Sequence, residues 1–225
     1  WNYIAGNTSL TPEFIRSHIC KFKDGGLDIL SANPRTTPDI VEEFYDTNWL
    51  WGDEHGQPDM SLSNNTSITP EFVTKYKTKP WNWYRLSQNK AMPIEFIKST
   101  IDIHPWMLMG VSLNPNITEE FVEEYNMKEI PFEESGETDV NYMNKNLRWW
   151  SGFPDGGISS MPLISGEFLF KHIDKFGDEY NAVKNIAFNP NLSIDVFWKH
   201  VTEDNIFSWN FEYLFAKKPE YQLKN

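Results

Sequence analysis

The chain has 225 residues, with 32 acidic against 20 basic side chains, a net charge of -12, and aromatic residues at 16% of the total. Together with 40% hydrophobic residues this is enough for a packed core and excludes a wholly disordered chain, while the negative balance disfavours direct binding to duplex DNA, which needs cationic side chains to displace counterions. No apolar run approaches the roughly 18–20 residues that span a bilayer, no signal-peptide segment is present, and a single Cys20 permits no internal disulfide and leans towards a reducing compartment.

The opening Trp1-Asn2, without an initiator Met, reads like the interior of a unit, as expected of a processed form or a fragment of a longer array. A recurring pattern then begins with Ile4, the small Ala5 and Asn7, followed by Thr11, Pro12, Glu13 and Phe14. Phe14, Ile15, His18 and Ile19 have the spacing of one helix face. Thr11 stands at the N-cap, where a side-chain oxygen satisfies a free backbone N–H for about 1 kcal/mol. Pro12 takes the first helical position, where its missing N–H costs nothing. Glu13 lies in the first turn, where the helix dipole favours an acid by about 0.3–1 kcal/mol.

A second copy runs through Leu30, Ser31, Asn33, Thr37, Pro38, Asp39 and Ile40. The period is then broken from about 46 to 59 by a segment carrying Trp49, Trp51, Gly52, His55, Gly56 and Pro58, whose turn formers mark an inserted loop. The third copy is Leu62, Ser63, Asn65, Thr69, Pro70, Glu71 and Phe72. Behind it Lys75, Lys77 and Lys79 stand beside Trp81, Trp83 and Tyr84, a set able to clamp and stack a single nucleic-acid strand. A solvated turn beside a buried aromatic helix is the preferred reading, because Trp1 and Leu27 place apolar residues there in other copies.

The fourth copy, Leu86, Ser87, Asn89, Glu95 and Phe96, has Pro93 where the capping Thr belongs. The fifth, Val111, Ser112, Asn114, Thr118, Glu120 and Phe121, runs into the stretch 119–139, which holds nine acids and one Lys. That stretch is either a solvated face or a receiver for a basic partner. A second insertion, near 129–157, carries Gly136, Trp149, Trp150, Gly152 and Pro154. The sixth copy is Ile158, Ser159, Met161 in place of Asn, Ser165, Glu167 and Phe168; the seventh is Ile186, Ala187, Asn189, Ser193, Asp195 and Val196.

Successive Asn positions, with Met161 as the sixth, are 26, 32, 24, 25, 47 and 28 residues apart. A unit of about 25 residues is too small for its own core and must stack on its neighbours. The column restricted to Ala and Ser points to a neighbouring backbone too close for a larger side chain. The expected fold is mostly α: a solenoid of about seven short helical repeats with two loop insertions, forming one domain over 1–225 whose ends have incompletely covered outer faces.

The acids recur once per copy and do not converge, so they read as helix-start residues and not as catalytic acids or calcium ligands. His18, His172 and His200 share a column with Phe44, Tyr76 and Tyr125 and read as flat core fillers. Zinc-like spacing, a Gly-rich phosphate loop, a nucleophile elbow and HExxH are all missing from the sequence. No cofactor, metal or catalytic residue is therefore expected, and an enzyme with a site built across repeats is the least favoured alternative. The Asn-x-Ser/Thr sequons at Asn7, Asn64, Asn65, Asn116 and Asn191 are by-products of the repeat and do not argue for secretion.

Insertions in repeat proteins project from one face, often the binding face. Trp49, Trp51, Trp149 and Trp150, as large rigid aromatics, are thus the candidate partner contacts. The leading expectation is a non-catalytic protein–protein interaction or assembly module, its partner another protein, one with a basic surface if the acidic stretch is used. The alternative, a nucleic-acid- or translation-associated binder using serial repeats, needs basic and aromatic residues recurring in one solvent-facing column, and the sequence has no such column. Membrane insertion is not expected, and self-association is left open.

The phrases Asn114-Pro115-Asn116-Ile117-Thr118-Glu119-Glu120-Phe121 and Lys79-Pro80-Trp81-Asn82-Trp83-Tyr84-Arg85-Leu86-Ser87-Gln88-Asn89 resemble the Asn-Pro-x-Ile-Thr and Trp-x-Trp repeat of proteins from amoeba-infecting giant DNA viruses of the mimivirus and marseillevirus kind. The resemblance covers nearly all of the chain outside the insertions and departs from the pattern at Met161 and Pro93. It implies a viral protein with an interaction role as structural component or adaptor, placed in the host cytoplasm or the virion, and it carries no catalytic residues to this chain.

Overall fold

Among the described residues the longest helix has eight residues, and helices of that length do not persist alone in water. What holds them is therefore capping and packing against other copies. A computed structural model describes residues 1–23, 25–52, 60–125, 157–176, 183–184, 186–203, 205, 209, 211 and 214. The chain divides into two compact units, Trp1–Gly110 and Val111–Asn225, and the described residues are helices and turns without a strand. The mostly α expectation holds.

Unit 1 contains helices α1 (Asn2–Ala5), α2 (Pro12–His18), α3 (Gly25–Ala32), α4 (Pro38–Glu43), α5 (Pro70–Lys75), α6 (Trp83–Gln88) and α7 (Ile94–Ser99), with a 3-10 turn at Leu62–Asn64. Each copy supplies a short first helix or 3-10 turn, a turn at Asn, and a second helix. Helix α8 (Leu108–Val111) lies at the junction of the two units, and unit 2 contains α9 (Glu119–Tyr125), the helices Gly166–Lys171 and Ile194–His200, and 3-10 turns at Gly157–Ser160 and Ile173–Phe176.

The helix starts follow the sequence rules. Thr11, Thr69, Thr118, Ser165 and Ser193 accept, through their hydroxyl oxygens, the N–H of Phe14, Phe72, Phe121, Phe168 and Val196. Thr37 differs, donating its hydroxyl to the Asp39 carboxylate. Pro93, without an oxygen to offer, caps by no side-chain bond. The second helices bury adjacent residues, such as Ile40 and Val41, Phe72 and Val73, or Phe168 and Leu169.

The turn between the two helices of a copy has one construction throughout. The Oδ1 of Asn7, Asn33, Asn65, Asn89, Asn114 and Asn189 accepts the N–H two residues on at 2.8–2.9 Å. Three residues on, the N–H of Leu10, Thr36, Ile68, Met92, Ile117 and Leu192 donates to the backbone carbonyl of that Asn. Asn favours the first position of such a turn, and Pro34, Pro115 and Pro190 fit the second, where φ is fixed at the needed value. Met161 keeps the carbonyl bond, to the Ile164 N–H, without the side-chain one. The third residue on is buried in all seven copies, a core column that the periodicity did not reveal because Thr36 interrupts its apolar run.

The Asn side chain, once oriented by its own turn, reaches the previous copy. Asn33 Nδ2 donates to the carbonyls of Ala5 at 2.6 Å and Asn7 at 3.1 Å. Asn65 donates to Ser31, Asn33 and Thr36 at 3.0, 2.9 and 2.8 Å, and Asn89 to Ser63 and Asn65, both at 3.0 Å. In unit 2, Asn189 donates to Ser159 and Ile164, both at 2.9 Å. The small-residue column supplies a second cross-link. Ser31, Ser63 and Ser87 hydroxyls accept the N–H of Leu50, Asn82 and Met107 and donate to the carbonyls of Leu27, Trp51 and Trp83. Backbones also approach closely at two glycines: a Cβ at Gly52 would stand 2.3 Å from the Pro80 carbonyl oxygen, and one at Gly110 would stand 2.6 Å from the Tyr84 carbonyl oxygen and from Ser87 Cβ.

Asn65→Ala should cost on the order of 3 kcal/mol, because it leaves buried carbonyls without donors. Asn7→Ala, at an exposed position, should stay within about 0.5 kcal/mol of the parent. Urea unfolding of both variants checks the pair, and equal effects would refute the bridging role. Phe121, 3% exposed, should cost about 3–5 kcal/mol as Phe121→Ala in the same assay.

Candidate functional site

Trp49 and Trp51 are buried, 4% and 7% exposed, and so present little surface to a partner. Trp49 Nε1 donates to the Phe44 carbonyl at the end of α4, as Trp81 Nε1 does to Tyr76 after α5. Trp106 repeats the arrangement with Thr100 Oγ1 after α7. Trp51 stacks on Phe72 at 5.9 Å and meets Trp81 edge-on at 5.1 Å. The first insertion thus begins inside the core. Its sequence signal was a matched distance: Trp49 stands as far after Ile40 as Trp81 stands after Phe72. Trp149 and Trp150 lie outside the described residues, as do most of the acidic stretch and the second insertion.

Two of the three lysines near Trp81 have defined partners. Lys75 pairs with Glu42 at 2.8 Å, and Lys79 Nζ lies over the rings of Tyr45 and Trp51 at 4.6 and 4.9 Å. Lysines so held form ties between copies, a different arrangement from an open clamp for a nucleic-acid strand. Comparable links join Arg16 to Asp39 and Glu43 in unit 1, and Lys171 to Glu123 at 2.6 Å in unit 2. Solvent screens such exposed pairs, so they contribute little to stability.

The first-turn acids are engaged where their titration departs from the ordinary. The Thr37 hydroxyl, assisted by Arg16, holds the Asp39 carboxyl below its usual range. Glu71 is lowered by its own backbone N–H and then by Thr69. Glu123, beyond the first turn of α9, is lowered by Lys171. All three are stabilised as carboxylates, which is the opposite of a general acid held protonated.

The histidines pack as rings. His18 stacks on Phe14 at 4.3 Å, His172 lies 4.8 Å from Phe168, and His200 is parallel to Phe170 at 3.8 Å. His104, buried, stacks on Trp83 at 4.8 Å. Among the described residues no three His, Cys, Asp or Glu side chains are grouped to hold a metal ion. An open depression in unit 1 is lined by Lys23, Gly25, Leu27, Asp28, Asp46, Thr47 and Asn48, with charges of both signs. No helix among the described residues is long and apolar enough to cross a membrane.

Among the described residues, exposed hydrophobic side chains are adjacent at α1. Tyr3 is fully exposed, Trp1 is 45% exposed and Ile4 39%. In the column of Ile4 the residues Leu30, Leu62, Leu86, Val111, Ile158 and Ile186 are all 0% exposed. Ile4 thus differs in exposure from the other members of its column.

Burial lowers the pKa of His104, with the Lys77 charge adding to it. The folded state then binds fewer protons than the unfolded chain just below the ordinary histidine pKa of 6.5. Stability should accordingly rise with pH towards 6.5 and fall as pH drops below it, and His104→Phe should flatten that slope in thermal melts across about pH 5–7.

Compared with known protein families, with curated proteins and with solved structures, the chain matches none of them.

Proposed function

We propose that the seven copies are units of an α-solenoid and that the chain is a non-catalytic protein-binding or assembly module. The observation that supports this reading is the bridging amide: the polar side chain that recurs most faithfully joins one copy to the carbonyls of the one before. The recurrent Thr, Ser and acidic residues have helix-start roles as well. Recurrent polar chemistry of this kind builds an extended scaffold, and extended scaffolds recognise other macromolecules through their varied surface positions. The likeness of the repeat to that of giant-virus proteins agrees with a viral structural component or adaptor acting in the host cell or virion.

A protein partner with a basic patch fits the acidic balance of the chain. Immobilised full chain, exposed to lysate of its native host with and without nuclease, should retain one stoichiometric protein in both cases, with retention weakening as salt rises. Capture that disappears with nuclease would replace this reading by the nucleic-acid one.

A further inference from the structure

We infer that the turn 100–106 of unit 1 is a latch released by acid, with protonation of His104 as the trigger. The inference concerns this turn alone and stands apart from the protein-binding reading.

The turns 44–49, 76–81 and 100–106 follow the second helices α4, α5 and α7 and close alike. The N–H of Trp49, Trp81 and Trp106 donates to the carbonyl two residues back, that of Thr47, Lys79 and His104, at 2.7, 2.8 and 2.8 Å. In two of these turns the residue at that place meets an indole from earlier in the chain. Lys79 Nζ lies 4.9 Å from the Trp51 ring, and the His104 ring lies on that of Trp83 at 4.8 Å. The two places differ in what a positive charge meets. A lysine packs its stem and leaves its charged end at the surface, and Lys79 is half-buried. An imidazole carries its charge in the ring itself, and His104 is 8% exposed.

Trp106 and Phe96 complete the surroundings of that ring, at 6.2 and 6.3 Å. Helices α6 and α7 thus face it with the rings of Trp83 and Phe96, and Asp102 of its own turn is exposed. From the segment after α5 the charge of Lys77 acts on it. A proton taken up below the ordinary histidine pKa of 6.5 therefore enters a poorly solvated place and meets a like charge. The Trp83 face attracts a cation, but burial and Lys77 act together against it.

The turn has few bonds to lose. The N–H groups of Ile103 and His104 donate to the Thr100 carbonyl at 3.0 and 2.9 Å, and the Trp106 indole donates to Thr100 Oγ1 at 3.0 Å. Ile103, at the tip, is 71% exposed. The amide bridge from Asn89 to Ser63 and Asn65 is made by other groups, so the turn can open while the junction holds. Opening uncovers Trp83, Phe96 and Trp106 and gives the chain an aromatic surface in acid.

Hydrogen exchange of the full chain, expressed as protection relative to the free-peptide rate at each pH, tests the latch. Between about pH 7 and about pH 5 the protection of residues 100–107 should fall roughly fivefold, while that of α3 in the same unit stays unchanged. His104→Phe, which keeps a ring on Trp83, should abolish the fall. Lys77→Met, at an exposed position, should make it smaller.

Protection that stayed constant would overturn the inference, and so would protection that rose in acid, since attraction to Trp83 would then prevail. An equal fall in His104→Phe would assign the proton to another group. A fall of the same size in α3 would mean that acid loosens the whole unit. Should His104→Phe fail to fold, Lys77→Met decides, because a fall identical to the parent's would remove Lys77 from the mechanism and overturn it.

Discussion

A side-chain amide held between two backbones is the interaction on which the rest of the structure depends. Helices of four to eight residues nucleate poorly and cannot close a core by themselves. Each needs its neighbour fixed at short range and in one register. The Asn does both, because its oxygen is tied to its own turn and its nitrogen is thereby aimed at the previous copy. A buried carbonyl without a donor costs about 1–3 kcal/mol, so a slipped register is penalised at each junction bridged by Asn33, Asn65, Asn89 or Asn189. Apolar burial provides the bulk of the driving force, and the amide selects which packing that force settles into.

The seryl hydroxyls and the tryptophans make sense in that frame. At Ser31 and Ser87 the hydroxyl accepts from the following segment and donates to its own helix, and at Ser63 it donates to the Trp51 carbonyl, which ties the chain where Asn does not reach. The indole N–H groups of Trp49 and Trp81 close the ends of second helices whose last carbonyls have no intrahelical partner. The junction is therefore mostly backbone on one side and side chain on the other. Such a junction tolerates variation in the apolar residues it encloses, as the mixture of Leu, Val and Ile in one column shows.

Much of this was legible from residues alone, and the rest was hidden for physical reasons. The helix starts could be read because Thr, Pro and an acid act on the backbone next to them. The Asn column was visible, yet its purpose was not, since its partners are carbonyls about a repeat away and a carbonyl has no identity in a sequence. A column of Ala and Ser expresses a limit on size, and the hydroxyl bond that Ser63 and Ser87 accept from the following segment is invisible in it, because Ala fills the same column. Gly52, His55 and Pro58 give the neighbourhood of Trp49 and Trp51 the composition of a loop, although both side chains belong to the packed body of unit 1. Composition of a neighbourhood is a weak guide to burial when an insertion starts at the edge of a core.

Each junction that carries the amide, at Asn33, Asn65, Asn89 and Asn189, has a giver and a receiver, with amide donors on the later copy and carbonyls on the earlier one. That asymmetry gives the array a grammar in which whole units are the words. A duplication of one complete period brings both the amide and the carbonyls it requires, so the chain can lengthen without redesigning any contact. A deletion that removes a fraction of a period leaves an amide facing the wrong atoms. Tandem arrays built this way should diversify in evolution by gaining and losing entire repeats, while the intervals between Asn turns absorb insertions, as the 32-residue and 47-residue spacings of this chain already do.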